Sequence, residues 1–220
     1  MNPQTQLVIF DSDGVLVDSE PIASRVLAEA LTEIGCPHTA QQCIERYTGI
    51  SMGAVMAKIE ADWGRPLPAG FRETLRERDF AAFRAHLRPM PGVTEMLREL
   101  RLSKCVASSG APQKMQVTLG VTGLMRFFEP HVFSAEMVER GKPAPDLFLL
   151  AARRMGAAPE ACAVVEDSVA GIQAARAAGM RALGFAGGGH AGPGHADRLR
   201  GAGAHLVFDR MADLPAILAD

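Results

Sequence analysis

Residues 7–14 read Leu-Val-Ile-Phe-Asp-Ser-Asp-Gly, an apolar run that ends in two carboxylates two positions apart. In an extended segment, side chains at i and i+2 point the same way, so Asp11 and Asp13 face one small volume beyond a strand end. Ligands of open α/β sheets bind in that position. Two carboxylates there repel each other unless a divalent cation binds them or one of them holds a proton. The stretch therefore predicts a chemically active strand end.

Short apolar runs recur along the rest of the chain, and helix-length segments separate most of them. This alternation is typical of a parallel sheet wrapped by helices, so the predicted fold class is α/β. The predicted strands are residues 7–10, 105–107, 131–133, 161–165, 182–185 and 206–208. Three of the predicted crossover helices are residues 91–100, 146–155 and 169–178.

The interval between the first two runs is unusually long, at roughly ninety residues where one crossover helix needs far fewer. Apolar residues in this interval recur at three- and four-residue spacing, which predicts helices only. The predicted helices are residues 21–34, 39–47, 52–63 and 71–86, with Gly35, Gly49 and Gly64 at helix ends. We expect a core of residues 1–15 and 88–220 and a helical cap of residues 16–87 that closes over the strand ends.

Polar clusters also follow, or lie between, later runs. Residues 108–110, Ser-Ser-Gly, offer hydroxyls and backbone N–H groups for an anion. Lys142 lies in a loop stiffened by two prolines, and residues 166–168, Glu-Asp-Ser, follow another strand. Each cluster alone is also consistent with a turn, a helix cap or a solvated surface. Together they offer ligands for a cation and an anion, and a phosphate ester with its metal requires both.

Composition excludes other classes of partner. The formal charge of −2 and the sequence pI near 6.3 give no basis for binding nucleic acid. No apolar stretch approaches a membrane span, and the first residues lack the features of a signal peptide. The four cysteines stand apart without C-x-x-C spacing, which indicates reduced thiols rather than a disulfide frame or a zinc site. We therefore expect a cytoplasmic protein without nucleic acid or membrane as a partner. We also expect a monomer, an expectation that composition does not address.

The four clusters in this order resemble the four motifs of the haloacid dehalogenase-like (HAD) hydrolase superfamily. The resemblance covers nearly the whole chain, through residues 10–20, 106–110, 141–146 and 165–171. It is to the helical-cap subgroup of the beta-phosphoglucomutase and 6-phosphogluconate phosphatase type. It implies a Rossmann-like parallel sheet core with an inserted all-helical cap, and a Mg2+-dependent phosphatase acting on a small phosphorylated metabolite, a sugar or sugar acid phosphate.

The resemblance also implies a role for each motif residue. Asp11 is the expected nucleophile, which forms an aspartyl-phosphate, and Asp13 is the expected general acid. The expected ligands of Mg2+ are Asp11, the backbone carbonyl of Asp13, and Asp167.

The remaining motif residues are expected to act on the phosphate or on the ligands around it. Ser108, Ser109, Gly110 and Lys142 are expected to bind the phosphoryl oxygens. Glu166 is expected to support a metal-bound water or to orient Lys142.

Two other activities of this superfamily are disfavoured by residue 13. The dehalogenases lack an aspartate at that position, and the phosphonate-cleaving relatives carry a small residue there. A phosphohexomutase of the beta-phosphoglucomutase type remains the alternative. That mutase holds its second phosphate with a cap arginine and a lysine, whereas the corresponding residues here are Met52 and Ala111. A non-catalytic phospholigand-binding protein is the alternative of another class.

Substrate specificity in this architecture is expected to come from the cap face and from the helix after the second motif. The candidate residues are Glu20, Tyr47, Ser51, Met52 and Lys114. Residues 187–195 read Gly-Gly-Gly-His-Ala-Gly-Pro-Gly-His and lack the glycine spacing of a dinucleotide loop. Their composition predicts a flexible surface loop.

Overall fold

The computed structural model of the chain describes residues 5–48 and 50–219. Its strands form one parallel sheet in the spatial order third, second, first, fourth, fifth, sixth. In chain order they are β1 (Leu7–Phe10), β2 (Ser103–Ser108), β3 (Val132–Ser134), β4 (Cys162–Glu166), β5 (Arg181–Phe185) and β6 (Leu206–Phe208). The predicted α/β fold with a parallel, Rossmann-like sheet is confirmed.

Helices connect the strands and cover both faces of the sheet. They are α1 (Glu20–Glu33), α2 (Ala40–Tyr47), α3 (Met52–Trp63), α4 (Phe71–His86), α5 (Val93–Glu99), α6 (Pro112–Val121), α7 (Asp146–Met155), α8 (Val169–Ala177), α9 (His195–Gly201) and α10 (Leu214–Ala219). Across the described residues, none of these helices has the length and apolarity that a bilayer span requires.

The central strand β1 is buried on both faces. Leu7 and Ile9 pack into the apolar cluster on one face, and Val8 and Phe10 pack into the cluster on the other. Full burial of side chains of this size stabilises the fold by roughly 1.5–3 kcal/mol each. A strand covered on both faces is a continuous apolar run rather than an alternating one, which explains the sequence of residues 7–10.

The four helices α1 to α4 follow β1 before the sheet resumes at β2. They form an apolar cluster of their own, in which Leu31 and Ile59 are fully buried. Phe83, near the end of α4, packs instead into the cluster beside the sheet with Val17 and Leu87. The boundaries of the predicted cap, residues 16–87, stay a prediction. The predicted helix end at Gly49 lies outside the described residues.

Candidate active site

The strand order brings the polar clusters to one edge of the sheet. Phe10 lies opposite Val106 of β2 and Val165 of β4, so these three strands end side by side. The backbone N–H of Asp11 donates to the Val165 carbonyl at 3.0 Å. The chain builds the sheet to one side of β1 with β2 and β3, and then to the other side with β4. This reversal is the topological position at which open α/β sheets bind ligands.

Lys142 joins three of the segments that the sequence singled out. Its ammonium lies 2.6 Å from Asp11 Oδ1 and 2.5 Å from Glu166 Oε1, and it donates to the Ala107 carbonyl at 3.0 Å. The side chains of Lys142 and Glu166 are 3% and 1% exposed. A buried ammonium with three oxygen acceptors is held in one orientation. Glu166 contacts Lys142, as one of its two predicted roles requires, and the role itself stays a prediction.

Charge at Asp11 is balanced only in part. Burial raises the pKa of Asp11 well above its ordinary value, and the Lys142 ammonium opposes that rise. The carboxylates of Glu166 and Asp167 raise the pKa further. Three carboxylates thus face two basic side chains: Asp11 and Glu166 share the ammonium of Lys142, and Asp167 pairs with His190. The site therefore favours an additional cation.

Asp167 lies against Gly14 of the first motif and contacts His190, a residue of the segment that was predicted to be a flexible surface loop. A Cβ at Gly14, whose φ is +77°, would lie 1.9 Å from Asp167 Oδ2, so only glycine permits this approach. His190 Nε2 lies 3.0 Å from the same oxygen, and the His190 side chain is 5% exposed. Burial lowers the pKa of His190, but the hydrogen bond and charge of Asp167 outweigh burial and raise it.

The prediction of a flexible surface loop at residues 187–195 holds as to surface position for residues 192–194, which are exposed, but not for Gly188 and the His190 side chain, which are buried. The Gly189 N–H donates to Asp18 Oδ1 at 3.0 Å, and a Cβ on Gly189 would lie 2.7 Å from Asp18 Oδ2. The glycines allow the loop backbone to pack closely against residues 14–21, which carries His190 onto Asp167. A glycine-rich composition indicates conformational freedom, but it gives no sign of the tertiary contacts that remove it.

Both carboxylate oxygens of Asp13 have partners. Ser19 Oγ donates to Oδ1 at 2.5 Å, and Lys114 Nζ lies 2.9 Å from Oδ2. Ser19 is fully buried, and sequence reasoning did not select it. Little in the sequence indicated this contact, because a serine directly before a helix usually caps the helix. The Ser19 side chain does not cap α1. Lys114, a predicted specificity residue, contacts the predicted general acid directly.

The second cluster lies beside these aspartates. Ser108 is buried, and its hydroxyl accepts from the Gly110 N–H at 3.1 Å. A Cβ on Gly110 would lie 3.5 Å from both Ser108 Oγ and Asp13 Oδ2, which shows how near the two motifs approach. Ser109 is exposed at the same turn. The structure therefore brings Ser108 and Gly110 to Asp13, and Ser109 adjoins them in the chain.

The predicted cap residues divide into two groups. Glu20, at the start of α1, lies near Lys114, Asp13 and Asp167, and burial raises its pKa. Tyr47 is not brought to the site: it is buried in the cap, and its hydroxyl lies 3.3 Å from His38 Nε2.

Ser51 and Met52 lie at the exposed start of α3. Ser51 caps that helix by accepting from the Ala54 N–H at 3.3 Å. Met52 is 39% exposed. Their predicted contact with substrate stays a prediction.

The residues at the strand ends fit Mg2+. This hard cation prefers oxygen ligands, and the predicted set is the carboxylates of Asp11 and Asp167 with the Asp13 carbonyl. Residues 5–48 and 50–219 contain no group of three or more His, Cys, Asp and Glu side chains arranged as a metal site. The predicted Mg2+ ligands include only two such side chains, Asp11 and Asp167, because Asp13 contributes its backbone carbonyl. The three buried carboxylates of Asp11, Glu166 and Asp167 outnumber the two basic side chains beside them, Lys142 and His190, and this surplus is the observation that favours the cation.

Comparison with known proteins identifies the family of the chain. A model of the haloacid dehalogenase-like hydrolase family matches residues 5–179. The chain is 32% identical over 176 residues to 6-phosphogluconate phosphatase of Escherichia coli (strain K12), with 80% of each chain covered. It is 35% identical over 178 residues to hexitol phosphatase A of the same organism, with 78% of each covered.

A solved structure of a haloacid dehalogenase-like protein is also similar to the chain. The crystal structure of a haloacid dehalogenase-like protein from Agrobacterium tumefaciens str. C58 matches with a TM-score of 0.88 and 40% identity, over 98% of both chains. The fold and the site define a hydrolase of the α/β class with a helical insertion. The chain belongs to the haloacid dehalogenase-like hydrolase family, which confirms the predicted family and the prediction of an enzyme. Phosphatases are among its relatives, in agreement with the predicted enzyme class.

Proposed function

We propose that the protein is a Mg2+-dependent phosphatase that hydrolyses a small phosphorylated metabolite, a sugar or sugar acid phosphate, through an aspartyl-phosphate on Asp11. The observation that carries this proposal is the position of Lys142, which joins Asp11 to Glu166 and to the Ala107 carbonyl beside Ser108. The proposed nucleophile Asp11, the ammonium of Lys142 and the proposed phosphate-binding residue Ser108 are therefore adjacent. The names of two relatives, 6-phosphogluconate phosphatase and hexitol phosphatase A, support the substrate class.

In the first step, a carboxylate oxygen of Asp11 attacks phosphorus and the bond from phosphorus to the ester oxygen breaks. The leaving oxygen takes a proton from Asp13. Lys142 holds Asp11 in place. The Ser108 hydroxyl, which accepts from the Gly110 N–H and keeps its own proton to donate, and the backbone N–H of Ser109 offer hydrogen bonds to the phosphoryl oxygens. Ser19 fixes the orientation of the Asp13 carboxyl group.

In the second step, water attacks the phosphorus of the aspartyl-phosphate and gives a proton to Asp13. The bond from phosphorus to the Asp11 oxygen breaks, which releases phosphate and restores both aspartates. Asp11, Asp167 and the Asp13 carbonyl would hold Mg2+, which supplies positive charge against the repulsion between carboxylate and phosphate. His190 keeps Asp167 oriented through its hydrogen bond.

A phosphate-release assay tests the proposal. The wild type and Asp11→Asn are assayed with Mg2+ on a panel of phosphorylated sugars, sugar alcohols and sugar acids. We expect release by the wild type and a loss of at least about a thousandfold in the variant. Equal release by both proteins would contradict the proposal. Conversion of one hexose phosphate isomer to another, with little free phosphate, would indicate the mutase alternative instead.

A further inference from the structure

One ammonium and three carboxyl groups, including that of the predicted general acid, form a cluster that we call the Lys114 cluster. It consists of Lys114, Asp13, Glu20 and Asp79. Lys114 Nζ lies 2.9 Å from Asp13 Oδ2 and 5.9 Å from the centre of the Phe83 ring. Asp79 precedes Phe83 by one turn of α4, so both residues lie on the same face of the helix. The cluster therefore joins the cap to the core.

Asp79 carries a buried side-chain oxygen without a hydrogen-bond partner among the described residues. Its Oδ1 oxygen is shielded from solvent and has no hydrogen-bond partner within the part of the chain that the structure describes. A buried acceptor without a donor is costly, and such atoms usually mark a place where a ligand or water donates. Glu20 faces the same ammonium from the start of α1.

The cluster carries more negative than positive charge. Burial lowers the pKa of Lys114, but Asp13, Glu20 and Asp79 together outweigh burial and raise it. Burial raises the pKa of Asp79 to about 7, and the nearby Glu20 and Asp13 add to that rise against Lys114. One ammonium thus serves three carboxyl groups, which leaves no unshared positive charge for a fourth.

We propose that the Lys114 cluster is the specificity site for the leaving group, and that it selects phosphate esters with hydroxyl groups on the two carbons beyond the ester carbon over those in which the second of these carbons is a carboxylate. The inference rests on the proposed function, because Asp13 contacts a leaving oxygen only if Asp11 takes the phosphoryl group from a substrate ester. A hydroxyl both donates and accepts, so it pairs with Asp79 or Glu20 and with Lys114. A substrate carboxylate only accepts, and it would enter beside the carboxylates of Glu20 and Asp79.

Glycerol 3-phosphate and 3-phosphoglycerate test the proposal, because they differ only in a hydroxymethyl group against a carboxylate. The ratio of their kcat/KM values is measured at about pH 8, above the pKa of Asp79. Where turnover is too slow, the ratio of their inhibition constants against p-nitrophenyl phosphate replaces it. We expect the wild type to prefer glycerol 3-phosphate by about tenfold or more.

Substitutions within the Lys114 cluster test whether it causes the preference for glycerol 3-phosphate. Asp79→Asn and Glu20→Gln each remove one negative charge, and we expect each to lower the preference by about threefold or more. Glu77→Gln is the matched control, because Glu77 lies on α4 but is exposed. It should leave the ratio unchanged, which separates the cluster from the net charge of the protein.

A wild-type ratio near one, or a ratio that neither cluster variant alters, overturns the inference. If p-nitrophenyl phosphate is still hydrolysed in that case, the proposed function stands. If the wild type hydrolyses p-nitrophenyl phosphate no faster than Asp11→Asn does, the proposed function fails, and the inference fails with it.

Discussion

Replacing Lys142 with methionine leaves two buried carboxylates without their shared ammonium. Asp11 and Glu166 are 9% and 1% exposed at their side chains, so water replaces little of the lost interaction. Removing one partner of a buried ion pair costs roughly 3–5 kcal/mol. In a chain of this length, each kcal/mol lowers Tm by about 2–4 °C. We therefore expect Lys142→Met to lower Tm by roughly 6–20 °C without metal at about pH 7.

The difference in Tm between the wild type and Lys142→Met, which we call the stability deficit of the variant, should depend on pH. Burial raises the pKa of Asp11, and Lys142 opposes that rise, so the pKa of Asp11 is higher still in the variant. The folded variant then binds the Asp11 proton more tightly than the unfolded chain does. Its deficit should be largest at neutral pH and should shrink as the pH falls towards the ordinary Asp pKa of about 4.

Calorimetry in the presence of a chelator, from neutral to acidic pH, measures both effects. Lys104→Met is the matched control: the same substitution at a half-buried lysine whose pKa is lowered by burial alone. It should change Tm by only a few degrees. A Lys142→Met deficit no larger than that of the control, or one that grows on acidification, would refute the account of the buried charges.

Three other substitutions concern residues near Lys142 and its carboxylate partners. Gly171→Ala should lower both Tm and activity, because the new Cβ would lie 1.9 Å from Glu166 Cδ; calorimetry and phosphate release measure this. His190→Ala should weaken Mg2+ binding by about tenfold in calorimetric titration, because Asp167 loses the hydrogen bond that orients it. Asp13→Asn should retain Mg2+ and phosphate binding while losing turnover, because the amide cannot supply the proton.

Each of these predictions has an outcome that contradicts it. Gly171→Ala with unchanged stability would show that Glu166 moves without cost. Mg2+ affinity unchanged in His190→Ala would show that the loop histidine does not position Asp167. Turnover unchanged in Asp13→Asn would show that the assigned acid is wrong.

The sequence predicted the sheet and the motif positions well because both are local patterns. The run at residues 7–10 became β1 with the same bounds, and the helices predicted at residues 52–63, 71–86 and 146–155 also have the predicted bounds. Strand ends in a parallel sheet meet at one edge, so order along the chain was enough to bring Asp11, Ser108 and Glu166 together.

Long-range contacts were beyond the reach of these patterns. Helical spacing shows that Tyr47 has a buried face, but not whether that face packs within the cap or against substrate. His190 lies in a glycine-rich segment whose packing depends on Asp18, distant in the chain. Asp79 resembles any polar residue of α4, and only the position of Lys114 distinguishes it. These residues required the tertiary structure.

The formation of a phosphoryl bond to Asp11 is the central claim, and chemical trapping tests it most directly. Borohydride reduces an acyl phosphate, so quenching the enzyme during turnover of a sugar phosphate should convert Asp11 to homoserine. Mass spectrometry of the peptide that contains residues 7–14 measures this change. We predict homoserine at Asp11 only when substrate and Mg2+ are both present. An unmodified Asp11 in an enzyme that is releasing phosphate would contradict the account.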